Sequence, residues 1–286
     1  MRKFFLSFAD SRMSRALQRV RQQAEGMACY DHIVVADQSY LDINVRDKYK
    51  DKLKGSVRGY GYWSWKPQLI LQLLSQVREG DIIQYTDAGC HLNKAGKARL
   101  MAYFDLADKS ESGILAFSAV PPEFHDPSVP LPDLTESRWC KADLFKHLHV
   151  LGKPEITNTP TIGAGIIFIK KCQQSQEIIE QWMSVIESDF SLIDDSPSKE
   201  KNAPEFVEHR HDQSIFSIIC KIHNVALVSC YEYGYPSKYF NAPDWGRLKN
   251  FPIHAKRDKS LSFPERMVDI AKKVDRRLKR IMSQGR

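Results

Sequence analysis

Asp81-Ile82-Ile83-Gln84-Tyr85-Thr86-Asp87-Ala88-Gly89 reads as a short buried strand that delivers an acid at its carboxyl end. Isoleucine, tyrosine and threonine suit a pleated, enclosed surface, and Gly80 stops the helix that comes before. That helix opens at Pro67, a favoured first-turn position for proline, and Leu69, Ile70, Leu73, Leu74 and Val77 form its apolar face. Further upstream, Gly55 to Trp65 is rich in Gly, Tyr and Trp and reads as a loop carrying stacking surfaces.

The start of the chain has the same character. Lys3 to Ala9 is a short, aromatic-rich apolar run, a buried strand. Ser11 to Ala24 sets Met13, Leu17 and Val20 at helical spacing among Arg and Gln, as in a half-exposed helix. Ile33-Val34-Val35-Ala36 is a second strand, ending in Asp37. Strand, helix, strand opens a parallel α/β sheet, whose ligands bind beyond the carboxyl ends of the strands. Asp10, Asp37 and Asp87 stand at such ends. Further strands are expected at Ile114 to Ser118, Gly165 to Ile169 and Val225 to Ser229. Helices are expected near Lys94 to Leu106, Gln173 to Ser188 and Asp212 to Ile222, with a surface loop from Asp194 to Pro204.

With 286 residues, 42% of them hydrophobic and 10% aromatic, the chain can bury one sizeable core, and disorder throughout is excluded. No apolar run approaches the roughly 20 residues that span a bilayer, and Asp10 comes too early for a secretory signal. A cytoplasmic location is therefore expected. The six cysteines are scattered, without the close pairs of a zinc or redox site, so a reduced structural role is expected.

The net charge of +7 is unevenly placed: from Lys249 onward there are twelve Lys/Arg against four Asp/Glu, leaving the body near neutral. A general nucleic-acid-binding surface is not implied. Ser262 to Met282 sets Met267, Ile270, Val274, Leu278 and Ile281 on one helical face and basic residues on the other, with Ser262 and Glu265 spaced as a capping box. The expected organisation is one domain over residues 1–260 and a basic amphipathic C-terminal helix over 261–286. Such a helix suits an anionic membrane surface, at about 1 kcal/mol per basic residue; the other reading is a helix packed on the domain or on a second subunit.

Asp87 is the first candidate for chemistry. An acid at a strand end, followed by Ala and Gly, leaves the backbone open to a ligand such as a metal-bound diphosphate, because hard cations share carboxylate oxygens with phosphates and water. An Asp here also suits a cap for the next segment.

Taken together, Gly59-Tyr60-Gly61-Tyr62-Trp63-Ser64-Trp65-Lys66-Pro67, Tyr85-Thr86-Asp87-Ala88-Gly89-Cys90 and His209-Arg210-His211-Asp212-Gln213-Ser214 resemble bacterial surface-polysaccharide glycosyltransferases of the nucleotide-diphospho-sugar transferase (GT-A) fold. The resemblance covers roughly Lys3 to Lys256. It implies a GT-A-like Rossmann-type mixed sheet flanked by helices, one half binding a sugar nucleotide, UDP-linked as the best guess, and the other shaping the site of a glycan or lipid-linked acceptor. In that superfamily a strand-end Asp-x-Asp holds Mn or Mg on the diphosphate. Here Gly89 stands in place of the second acid, so Asp87 alone carries over, and His254 resembles the late histidine that completes the metal shell. Asp10 and Asp37 fall where base and ribose are held, although either acid also suits a turn. Thr161 to Phe168 resembles the glycine-bearing segment at the donor-acceptor interface; a plain start of a strand explains its glycines too.

Lys66 sits before a helix N-terminus, where positive charge and free backbone donors favour phosphate. Lys256 suits a departing diphosphate as a point charge, or is a solvated lysine. Trp63 and Trp65 suit stacking on a base or sugar, or the core. Asp212 suits an N-cap, but the ionisable neighbours before it, His211 among them, are not explained by capping. Asp212 is the candidate catalytic residue: a general base if the reaction inverts, a group holding the donor sugar or its developing charge if it retains.

Two other classes compete. A sugar-nucleotide-synthesising nucleotidyltransferase would need a glycine-rich basic loop after the first strand, unlike Phe8-Ala9-Asp10-Ser11-Arg12. A non-catalytic protein binding nucleic acid or another anionic surface could use the basic tail, yet the body is near neutral and carries no recognised nucleic-acid module.

Overall fold

The computed structural model describes residues 1–239, 242–260, 267 and 271. The C-terminal helix expected from Ser262 lies outside these, apart from Met267 and Ala271. One six-stranded sheet organises the described chain, in the order β2 (His32–Ala36), β1 (Lys3–Phe8), β3 (Ile82–Thr86), β6 (Ile162–Lys170), β5 (Ile114–Ser118), β7 (Ala226–Ser229). β1 pairs in parallel with β2 and β3, and β5 with β7, while β6 runs antiparallel to both β3 and β5. Five strands therefore point one way. The carboxyl ends of β1, β2, β3 and β5 meet the amino end of β6 along one edge. This is a mixed α/β sheet flanked by helices, as expected.

Alternation along the strands assigns the two faces. Ile83 and Tyr85 share a buried cluster with Leu69, Ile70, Leu73 and Leu74 of the Lys66–Leu74 helix, Ile179 and Trp182 of the Gln173–Ser188 helix, and Ile215 and Phe216 of the Asp212–Ile222 helix. Ile82 and Phe168 face the other way, onto Val20 and Ala24 of the Ser14–Met27 helix and Leu100 and Phe104 of the Lys97–Lys109 helix. Each large apolar side chain enclosed in this way contributes about 1.5–3 kcal/mol relative to exposure. The Trp182 and Phe216 rings pack at 4.7 Å, joining two helices on the first face.

Two irregularities matter for function. In β6 the facing pattern changes parity: Ile162 and Ala164 share a cluster with Ile167 and Ile169, whereas Ile166 and Phe168 lie on the opposite face. The β5–β6 register shifts at the same place, between Leu115 and Phe117. This is a bulge at Ala164–Gly165, which frees backbone from the ladder. The second irregularity is the expected loop Gly55 to Trp65. Within it, Gly59, Tyr60, Gly61, Tyr62 and Trp63 have φ of 59°, 55°, 90°, 56° and 60°, a full left-handed turn closed by Tyr62 N to Arg58 O at 2.7 Å. For non-glycine residues that hand costs roughly 1–2 kcal/mol each, so surrounding contacts must hold it.

A two-stranded ladder of β4 (His91–Leu92) and β8 (Ile253–His254) brings the segment from Ile253 to Ser260 back beside Gly89. All six cysteines are free. No helix among the described residues is long and apolar enough to cross a membrane.

Candidate active site

Because Ile83, Tyr85 and Asp87 follow one another at two-residue spacing, Asp87 leaves the sheet on the face covered by the Lys66–Leu74 and Asp212–Ile222 helices. Lys66 and Asp212 are the first residues of those helices, and both helices begin at the carboxyl edge. Three residues remote in sequence therefore converge. Lys66 Nζ donates to Asp212 Oδ2 at 2.6 Å and to the carbonyl of Ala164, freed by the bulge, at 3.0 Å. Asp87 Oδ1 lies 3.5 Å from the same ammonium and accepts from the Tyr85 hydroxyl at 2.7 Å.

Lys66 and Asp212 are 2% and 5% exposed, whereas the Asp87 side chain is 40% exposed and forms the open end of the cluster. Burial pushes the Asp212 carboxyl up to about 6, against the opposing pull of Lys66. Burial also works against the Lys66 charge, but Asp212 and Asp87 outweigh it and the ammonium is held above its ordinary range. Asp212 is not the N-cap expected of it. The cap position is His211, and its side chain caps nothing.

His211 adopts φ 58° and ψ −127°, a conformation rare for a side-chain-bearing residue and typical of strain retained at functional sites. Nδ1 donates to Ile193 O at 2.8 Å, and the ring rests against Tyr62 at 5.0 Å and Trp63 at 5.8 Å. The left-handed turn is thus packed onto the residue preceding Asp212. Burial takes His211 down to about 3, so the ring is neutral at physiological pH. Nε2 makes no hydrogen bond among the described residues and lies 3.5 Å from Asp195.

The other expected residues stand around this centre. Asp10 accepts from Arg12 N at 3.0 Å and pairs with the Arg12 guanidinium at 2.7 Å. Asp37 is exposed and accepts from Ser39 N and Oγ at 2.8 and 2.6 Å. Both acids hold turns at the ends of their strands, the second of the two roles expected. Trp65 is core, with its ring 4.0 Å from Phe8, while Trp63 is half-buried. Lys256 is exposed, its ammonium 5.5 Å from the Trp245 ring. Gly165 borders Asp87 so closely that a Cβ would lie 2.9 Å from Oδ2.

A divalent cation fits this donor set poorly. Asp87 Oδ1 is already occupied by Tyr85 and Lys66, leaving Oδ2 as its one oxygen free among the described residues, and the strand-tip carbonyls are occupied as well. Ala88 O and Cys90 O accept from Arg19 at 2.9 and 2.7 Å, and Gly89 O accepts from Asp258 N at 2.9 Å. A side chain at Gly89 would set its Cβ 3.3 Å from Arg257 Cα, so returning chain lies where a second acid would project. His254 engages Nε2 with Leu248 O at 2.9 Å. No three of His, Cys, Asp and Glu gather as a metal-holding group among the described residues.

Sequence reasoning did not find Tyr85, Arg19 or Arg257. Tyr85 was within reach, since two-residue spacing in a strand places it beside Asp87. Arg19 carries no local signal, being one of several arginines on a helix surface.

No protein-family model matches this chain, and no curated protein is significantly similar to it. Solved structures with a similar chain path include apo mouse xyloside xylosyltransferase 1, at 9% identity and TM-score 0.42, covering 81% of this chain and 86% of that one. A glycosyltransferase involved in glycosylation of the major capsid of PBCV-1 aligns at 11% identity and TM-score 0.43, covering 91% and 96%. The galactosyltransferase LgtC, in complex with donor and acceptor sugar analogues, aligns at 12% identity and TM-score 0.41, covering 94% and 95%. At such low identity the chemistry rests on this chain's own residues.

Proposed function

We propose that this protein is a GT-A-type glycosyltransferase that moves a sugar from a nucleotide-diphosphate donor, UDP-linked as the first candidate, to a growing cell-surface glycan. The observation that carries the proposal is the meeting of Lys66, Asp87 and Asp212 at the carboxyl end of β3, beside a bulged glycine segment. Ligands of open α/β sheets bind at such an edge, and a buried, ion-paired acid with a raised pKa is a candidate functional group.

In this reading the nucleoside lies across the ends of β1 and β2, near Asp10 and Asp37. The diphosphate lies beside Asp87 with Lys256 close by, and the sugar rests against Gly163 to Gly165, under Asp212 and His211. Asp212 acts as the carboxylate. It takes the acceptor hydroxyl proton if configuration inverts, or stabilises positive charge on the sugar if it is retained. In both cases the sugar–oxygen bond breaks with its electron pair leaving on the diphosphate, and the ionised form of Asp212 is the active one. The basic tail would hold the enzyme on the inner face of the cell membrane, near a lipid-linked acceptor.

A nucleotidyltransferase is the weaker reading, because the turn after β1 has no glycines and is closed by the Asp10–Arg12 pair. A panel of nucleotide sugars tests the proposal by donor hydrolysis and by thermal stabilisation, since a ligand that binds only the folded state raises its melting temperature. At least one nucleoside-diphosphate sugar is expected to do both. No stabilisation and no hydrolysis across the panel would remove the proposal.

A further inference from the structure

The strand tip expected to hold a metal is overlain by returning chain. After Ile253-His254 pair with β4, the chain passes directly over Gly89, anchored by the Asp258 N to Gly89 O bond at 2.9 Å and by Arg19, which donates to Asp258 O at 2.9 Å as well as to the tip carbonyls. Arg257 lies at the point of closest approach, in a left-handed conformation with φ 54°, its backbone against Gly89. Its side chain is exposed, and no carboxylate among the described residues pairs with it. Its positive charge pulls down the pKa of buried Cys90, next to Gly89, and of half-buried Tyr233, in each case against the larger upward effect of burial. The Tyr233 hydroxyl in turn lies 2.8 Å from where a Cβ of Gly163 would stand. The Arg257 backbone therefore overlies the β3 tip at Gly89.

We propose that Arg257 is a diphosphate-binding residue and that, with Lys66 neutralising Asp87, it lets the protein bind its nucleotide without a divalent cation. This rests on the glycosyltransferase reading and deepens it. In a metal-dependent arrangement the cation lets two negative partners, carboxylate and diphosphate, lie side by side. Here the Lys66 ammonium already sits between Asp87 and Asp212, at 3.5 and 2.6 Å, which offsets the repulsion Asp87 would offer. A guanidinium meets phosphate oxygens with a planar fork of donors that needs no metal. The overlying backbone at Gly89 explains why glycine stands where a second acid would be. An aspartate there would press on Arg257 and offer another negative charge to the ligand.

Calorimetric titration of the full chain with UDP, GDP, CDP and ADP, each in EDTA and again with Mn or Mg, tests this. Electron spin resonance of Mn with protein and nucleotide reports directly whether the ion is held. The expected result is an affinity in EDTA within about threefold of that with metal, and a Mn signal no different from that of nucleotide alone. Arg257→Ala should weaken binding about ten- to a hundredfold, as for loss of a charge-assisted contact, with an unchanged melting temperature, and Arg257→Lys should restore part of it. Binding that appears only with metal, or survives Arg257→Ala undiminished, overturns the inference and leaves the glycosyltransferase reading standing. If no nucleotide binds in either condition, both fall together.

Discussion

Asp212 and Lys66 form an ion pair that a core does not normally contain. Desolvating two charges costs several kcal/mol each, and such a pair is a weak source of stability. A use for its position is the simpler explanation. On the proposed mechanism the ionised form is the active one, so transfer should rise with pH through about 6, where the Asp212 carboxyl titrates. Stability runs the opposite way. The folded pKa is raised from 3.8 to about 6, so the contribution of this group is fully present below 3.8 and lost as pH rises through about 6. Asp212→Asn should lower transfer about 10²- to 10⁴-fold and abolish the acid limb of the pH–rate profile. Near-normal transfer by a variant of unchanged melting temperature would remove Asp212 from the chemistry. At this scale the sequence identified the partners but not the partnership. Lys66, Asp87 and Asp212 each stood out locally, while the 2.6 Å contact across 146 positions depends on two helices being laid on one face of the sheet.

Elements built from periodic burial were legible, and those built from tertiary contact were not. Ile114–Ser118, Gln173–Ser188 and Asp212–Ile222 have the expected bounds, because their apolar residues recur at the spacing of the element they form. The β6 bulge is invisible in Thr161 to Phe168, since a bulge is a property of two strands and only one was being read. The left-handed turn was read as a loop carrying stacking surfaces, and its aromatic residues pack within the protein, Tyr60 on Phe8 and Tyr62 and Trp63 on His211. Its hand is imposed from outside: the Trp65 indole donates to Gly59 O at 3.1 Å, Tyr60 lies against Phe8 at 6.4 Å, and Tyr62 lies against His211. Gly59 is the position that cannot carry a side chain. A Cβ would lie 2.4 Å from the Trp63 ring, at a φ of +59°. Gly59→Ala should therefore destabilise the fold by about 1–3 kcal/mol through overpacking and backbone strain and shift the tryptophan emission as Trp63 moves. A denaturation midpoint and spectrum identical to those of the parent would show that the turn tolerates a side chain.

Along the sequence, charge is unevenly placed. The sheet and its helices form a body near electrical neutrality, while the positive charge gathers after Lys249. On the proposed function the acceptor lies in an anionic surface, and attraction at about 1 kcal/mol per basic residue accumulates where such residues are close together. Residues 262–286 contain eight Lys/Arg against three Asp/Glu. Removing them should weaken binding to vesicles containing phosphatidylserine or phosphatidylglycerol at least about tenfold, while hydrolysis of a soluble donor continues at the parental rate, since Lys66, Asp87, Asp212 and Arg257 all remain. Binding of the parent should also fall as salt is raised, because the attraction is screened within a Debye length of about 10 Å at 0.1 M. Sedimentation with vesicles of matched size, anionic against neutral, separates this from apolar insertion, which would survive salt. Undiminished binding by the shortened chain would place the membrane contact, if one exists, on the body, and the tail would then be a packing segment.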